Sequence, residues 1–188
     1  SGGYGLINLD GTMTKRSTAI GKVARLISHH SKLFLESKPV KPQIALVYNP
    51  LSQMVGGERR TTSTDGHMSS LVGYYRFFKD HNVPVDFIFL NDLSSQDLSQ
   101  YKLIILPYSL MFTQKAATLL ENYVEKGGNI LGESRLAWLN SRGYASDEIP
   151  GMGFSKVFGV RESKVKTIKD RPVSMIISDD SKMFLDSL

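Results

Sequence analysis

The stretch from Tyr101 to Glu133, YKLIILPYSLMFTQKAATLLENYVEKGGNILGE, restricts the fold more than any other part of the chain. Leu103 to Leu106 form an unbroken apolar run stopped by Pro107, the pattern of a strand covered on both faces in a parallel sheet. Thr113 offers a cap for a helix whose Ala116, Ala117, Leu120, Tyr123 and Val124 recur at helical spacing. Gly127 and Gly128 supply left-handed residues to stop it, and Asn129 to Gly132 open a second buried strand. A strand, a crossover helix and a parallel strand form a unit onto which the flanking segments must dock.

The same alternation extends in both directions. Ile44 to Tyr48 read as a first strand closed by Asn49-Pro50, and Val85 to Leu90 as a second. Between them Met68, Leu71, Val72, Tyr75 and Phe78 mark a helix. Leu51 to Gly66 read as a polar loop, long enough to suggest function or contacts. Asp92 to Gln100 form a short connector. Arg135 to Asn140 suggest a short helix carrying Trp138, Phe154 to Phe158 another ended by Gly159, and Val173 to Ile177 a last strand. Four strands alternating with helices predict a three-layer α/β fold, a doubly wound, mostly parallel sheet of flavodoxin-like type. Ligands of such sheets sit outside the strand C-terminal ends, here Asn49 to Gly66, Leu90 to Leu93, Pro107 to Phe112 and Glu133 to Trp138.

The first forty residues follow another pattern. Asp10-Gly11 signals a tight turn, and Ile20, Val23, Ala24 and Ile27 form a helical stripe continued by Leu33, Phe34 and Leu35 up to Lys38-Pro39. Val40 to Pro42 is the expected domain boundary, and the preceding helix reads as the last helix of another domain.

Candidate chemistry is sparse. The chain has 188 residues and no cysteine, which rules out thiolate catalysis, disulfides and cysteine-ligated metals. Its net charge of +5 comes from scattered lysines and arginines without interleaved aromatics, so no nucleic-acid partner is expected. There is no apolar run of bilayer length and no leader pattern, and a soluble domain with no membrane partner, cytoplasmic or periplasmic, is the expectation. No Gly-x-Gly-x-x-Gly or Walker pattern opens a helix, and no cofactor is expected. His29, His30, His67 and His81 have no ligand spacing with carboxylates, so no metal site is expected. Ser134 follows a strand, but a serine nucleophile requires a glycine-framed elbow, and Arg135 stands where a small residue is wanted. No catalytic residue is assigned. Trp138 and Arg135 have the residue types that dominate interface centres. With Tyr48, Glu133 and the loop residues Arg59 and Arg60, they are the candidates for a subunit contact or pocket rim.

One resemblance gathers these features. Gly2-Gly3-Tyr4-Gly5-Leu6, Leu9-Asp10-Gly11, Thr14, Arg16 and Val47-Tyr48-Asn49-Pro50-Leu51 resemble the junction in family forty-two β-galactosidases where the (β/α)8 barrel ends and the trimerisation domain begins. Asn82 to Asp86, Tyr101-Lys102-Leu103, Gly127-Gly128, Arg135 to Trp138 and Ile149 to Gly153 look like that domain. The resemblance implies that residues 1–40 are the tail of the barrel. It implies that 41–188 are similar in fold to class I glutamine amidotransferases and continue past Leu188. The amidotransferase nucleophile is a cysteine, absent here, and the family's two catalytic glutamates lie on upstream barrel strands. The implied role is assembly of a homotrimer whose missing barrel binds the galactoside. The alternative is a small, self-contained α/β enzyme or ligand-binding domain using the strand-end crevice.

Overall fold

The computed structural model describes residues 5–57 and 66–164. The chain divides into two compact units between Val40 and Lys41. In the first, Asp10 and Gly11 (φ +81°) form the expected turn, and Asp10 Oδ1 accepts from the Thr12 amide and hydroxyl. These bonds, the hydroxyl's first, hold the Asp10 carboxyl below the usual carboxylate range. Thr14 caps α1 (Lys15–His29) by accepting from the Ser17 amide, as a threonine at a helix start does. The expected single helix breaks at His30, which leaves helical geometry before α2 (Ser31–Glu36) resumes.

The second unit opens with β1 (Ile44–Tyr48), α3 (Pro50–Gly57), α4 (Gly66–Asp80) and β2 (Val85–Phe89). Two 3₁₀ turns (Leu90–Ser95, Leu98–Gln100) lead to β3 (Leu103–Leu106), β4 (Met111–Phe112), α5 (Gln114–Glu125) and β5 (Asn129–Gly132). β6 (Leu139–Asn140) and α6 (Phe154–Phe158) complete the described elements. The sheet has the order β2-β1-β3-β5 and is parallel throughout, with Ile44 opposite both Val85 and Leu103. The four strands read from the sequence are the four strands of this sheet, and helices cover it on both sides as a parallel sheet requires.

The two faces are filled by alternate residues of each strand. Ala45, Val47, Ile88, Ile104 and Leu106 pack under α5, whose Ala116, Ala117, Leu120 and Tyr123 form the expected stripe. Leu46 and Ile105 face the other way and meet Leu71 of α4. Thr113 caps α5 as expected, accepting from the Ala116 amide at 3.2 Å. Gly127 alone takes the left-handed conformation after it (φ +90°). Gly128 serves a close approach instead, because a Cβ there would lie 2.2 Å from the Tyr123 ring.

Two expectations are corrected. Residues 50–57 form α3 rather than loop, since Pro50 suits a first helical position and Asn49 Oδ1 caps by accepting from the Ser52 amide at 3.2 Å. Arg135 to Asn140 are not helical. Arg135 (φ 62°) and Ala137 (φ 52°) adopt left-handed backbone, which a right-handed helix excludes. Trp138 therefore leads into the two-residue β6. The strand expected at Val173 to Ile177 lies outside the described residues, as do Arg59 and Arg60.

Candidate functional site

The sheet order reverses between β1 and β3, so the crevice where doubly wound folds bind ligands lies beyond Tyr48 and Leu106. Here the chain ties a closed knot. The Asn49 amide donates to Nε2 of His67 at 3.0 Å, and Nδ1 of the same ring lies 2.7 Å from the Pro107 carbonyl. An amide must donate, so Nε2 is the acceptor and Nδ1 carries the proton. Asn49 Nδ2 donates to the Met111 carbonyl at 2.8 Å. The Ser52 hydroxyl donates to that carbonyl and accepts from the Met111 amide, at 3.1 and 3.0 Å. Asn49, Ser52 and His67 are fully buried. Each ring nitrogen of His67 and the Ser52 hydroxyl are consumed in joining β1, α3, α4 and the segment after β3. Such a network fixes a structure, because a buried polar group without a partner is costly.

Tyr48 and Tyr108 flank the knot. The half-buried Tyr48 donates its hydroxyl to Gln53 Oε1, and its ring lies 5.1 Å from Phe89, edge to face, and 5.7 Å from His67. Tyr108 (φ 32°) lays its ring on Gly66 at the start of α4, where a Cβ would come within 2.8 Å of two ring carbons.

Glu133, just past β5, turns inward. It accepts from the Ser70 hydroxyl and from Tyr74, both on α4. Burial first, and then the charge and hydrogen bond of Glu133, push Tyr74 up to about 12. Ser134 is exposed, and the chain after it makes turns, not the strand-to-helix elbow that activates a serine. Arg135 donates its amide to Glu162 Oε1 at 2.6 Å and places its guanidinium 5.4 Å from the Trp138 ring centre. Both side chains are half-buried, a cation on an aromatic face at the rim. Beside them a hollow of about 170 Å³ opens between Glu133, Leu136, Phe158 and Glu162, smaller than the roughly 300–1,000 Å³ of small-molecule pockets. Among the described residues no three histidines or carboxylates cluster as metal ligands, and no helix is long and apolar enough to cross a membrane.

Of the six candidate residues, Arg135 and Trp138 come together and Glu133 points away from them into α4. Tyr48 belongs to the knot and to the neighbourhood of Phe89. Two features escaped the sequence reading. The knot joins residues 18 to 62 positions apart, and no short spacing signals it. The second is the aromatic flank of β2. Phe87 and Phe89 are about half-exposed, and Tyr75 lies 5.5 Å from Phe87. Its signal was visible, since two phenylalanines two apart share one face of a strand.

Residues 42–184 match the family model described as the β-galactosidase trimerisation domain. The β-galactosidase LacA of Lactobacillus acidophilus is 32% identical over 75 residues, 40% of this chain and 11% of that protein. GanA of Bacillus subtilis, also a β-galactosidase, is 23% identical over 112 residues, 60% of this chain and 16% of that protein. The aligned stretches thus span well under a fifth of these relatives. The structure of a β-galactosidase from Rahnella sp. R3 superposes with a TM-score of 0.70 at 19% identity, covering 88% of this chain and 24% of that one, a likeness of fold. A parallel sheet closed at its strand ends by a structural knot, together with a family match across almost all of the second unit, places the chain: it belongs to the β-galactosidase trimerisation domain family.

Proposed function

We propose that this chain is a non-catalytic assembly module of a β-galactosidase-like glycoside hydrolase, holding three copies together while another part of the protein hydrolyses terminal β-D-galactosides. Residues 1–40 are then the tail of the (β/α)8 barrel, and the second unit is the module itself, a soluble one. The observation that carries this reading is the knot at the strand C-terminal ends. The positions that serve ligands in related architectures are spent on Asn49, Ser52 and His67 bonding to the backbone. The matched family's description supplies the alternative task. The Arg135 and Trp138 pair remains a candidate for the rim of a subunit contact, on the strength of its residue types and half-exposure. Light scattering behind a sizing column, over a range of concentrations, tests the reading. A mass three times that of the chain is expected. A monomer at the highest concentration would overturn it.

A further inference from the structure

The covering of the α4 face is narrow. A four-stranded sheet is about 19 Å wide at about 4.8 Å per strand, and one helix with its side chains spans only about 10–12 Å. Among the described residues α4 lies over β1 and β3, with Leu71 on Leu46 and Ile105, and the outer strand β2 projects beyond it. The consequence is visible residue by residue. Ile88, facing α5, is 3% exposed, whereas Phe87 and Phe89 on either side of it are 49% and 51% exposed. Tyr75, on the flank of α4 nearest β2, is 40% exposed and extends the same aromatic strip.

Among the described residues the edge itself is uncovered. β2 pairs with β1 through five consecutive residues, and no described strand pairs its outer side. Its sequence, Val-Asp-Phe-Ile-Phe, holds no lysine, proline or bulge, three of the devices that keep an edge from pairing. Its one charge, Asp86, is turned to the other face and accepts from the Tyr101 hydroxyl at 2.9 Å. Three half-covered aromatic rings offer on the order of 300 Å² of apolar surface, the scale of a functional patch and the centre of one side of a standard interface.

We propose that the β2 flank, Tyr75, Phe87 and Phe89, is the surface on which a second copy of this chain docks. The inference rests on the assembly reading above. The occupant is a second copy because the strip lies within residues 42–184, the span matched by a family described as a trimerisation domain. The other long apolar stripe, Ile20, Val23 and Ile27 of α1, lies outside that span. A ring of three joins two different surfaces at each contact, so the β2 flank meets a non-identical surface of its neighbour.

The test compares the native chain with the double variant Phe87→Asp/Phe89→Asp. Light scattering over a concentration series reads the assembly, and circular dichroism reads the fold. The native chain is expected to be trimeric and the variant folded but monomeric, with the concentration needed for assembly raised about a hundredfold or more. A monomeric native chain overturns both this inference and the assembly reading. A native trimer matched by an equally tight variant trimer overturns this inference alone. Should the double variant fail to fold, Phe89→Cys decides, because the chain has no other thiol. Maleimide labelling of Cys at that site is expected to slow as the trimer forms. Equal rates across the assembly transition would overturn the proposal.

Discussion

The two faces of the sheet are finished to different standards. Among the described residues, sixteen apolar ones on the α5 side are buried in one cluster that runs from Ala45 to Phe154, sealed by α5, α6 and the 3₁₀ turn after β2. On the α4 side three of the described apolar residues are buried in the cluster, and around them Tyr48, Met68, Tyr74 and Phe78 are only partly covered. The α5 side is built as the centre of a domain. The α4 side holds its helix as much by polar links, His67 to the β1 and β3 ends and Glu133 to Ser70 and Tyr74, as by apolar burial. The difference teaches that one sheet divides its tasks: among the described residues one face carries most of the apolar burial, and the other leaves aromatic surface uncovered.

That contrast breaks most sharply on the sealed side. Phe154 is 1% exposed and stands 5.3 Å from Phe112, edge to face. Phe154→Ala is expected to cost about 3–5 kcal/mol, read as a lower denaturant midpoint. Ser70→Ala, on the other side, removes one of two hydroxyl donors to a partly buried carboxylate and is expected to cost about 1–2 kcal/mol. In a double-mutant cycle with Tyr74→Phe the two changes should couple, since both end on Glu133. Thr113→Ala leaves the Ala116 amide without its cap and should lower stability by about 1 kcal/mol, with Thr113→Ser retaining most of it.

Alkaline titration gives the subtlest comparison, because both faces hold shifted tyrosines: Tyr74 on the α4 side, and Tyr101 together with Tyr123, raised by burial, on the α5 side. Burial first, then Glu133, pushes Tyr74 up to about 12, and burial first, then Asp86, does the same for Tyr101. A phenol whose folded pKa exceeds its unfolded value stabilises the fold fully below pH 10, and that contribution is lost as pH rises from 10 toward 12. Tyrosinate absorbance should therefore show a late-titrating class that disappears on unfolding. Glu133→Gln is expected to bring forward Tyr74 only, and only partway to the ordinary value because burial remains. If the late titrations on both faces moved together, the two faces would not be electrostatically separate.

Much of this was legible in the sequence, for reasons that also explain what was not. The strands from Ile44, Val85, Leu103 and Asn129 showed because parallel strands are apolar without alternation. The Thr113 cap and the Gly159 stop showed because capping is local chemistry, and both hold in the structure. The short helix after Asn49 hides under a composition of Ser, Gln and Gly that suggests loop, and the Asn49-Pro50 pair that starts it has the same residue types as a strand stop. Arg135 and Ala137 take left-handed backbone, which residue type does not announce. The His67 knot depends on the distant Pro107 and Met111. That β2 is an edge follows from strand order, which periodicity does not encode. Among the candidate residues, type alone brought Arg135 and Trp138 together but gave no sign that Glu133 faces inward.

The strand order has a consequence for how the molecule comes into being. By Phe89 the chain contains β1, α4 and β2, a complete parallel pair with its helix in place. The opposite side of that pair, Ala45, Val47 and Ile88, receives its lid only when α5 follows, and β1 waits for β3 on its second edge. During synthesis, which proceeds from the N-terminus, the side that ends best sealed is thus the last to be closed. A nascent chain halted between Phe89 and Gln114 presents bare aliphatic surface there, and the aromatic strip on the α4 side is complete before the domain is.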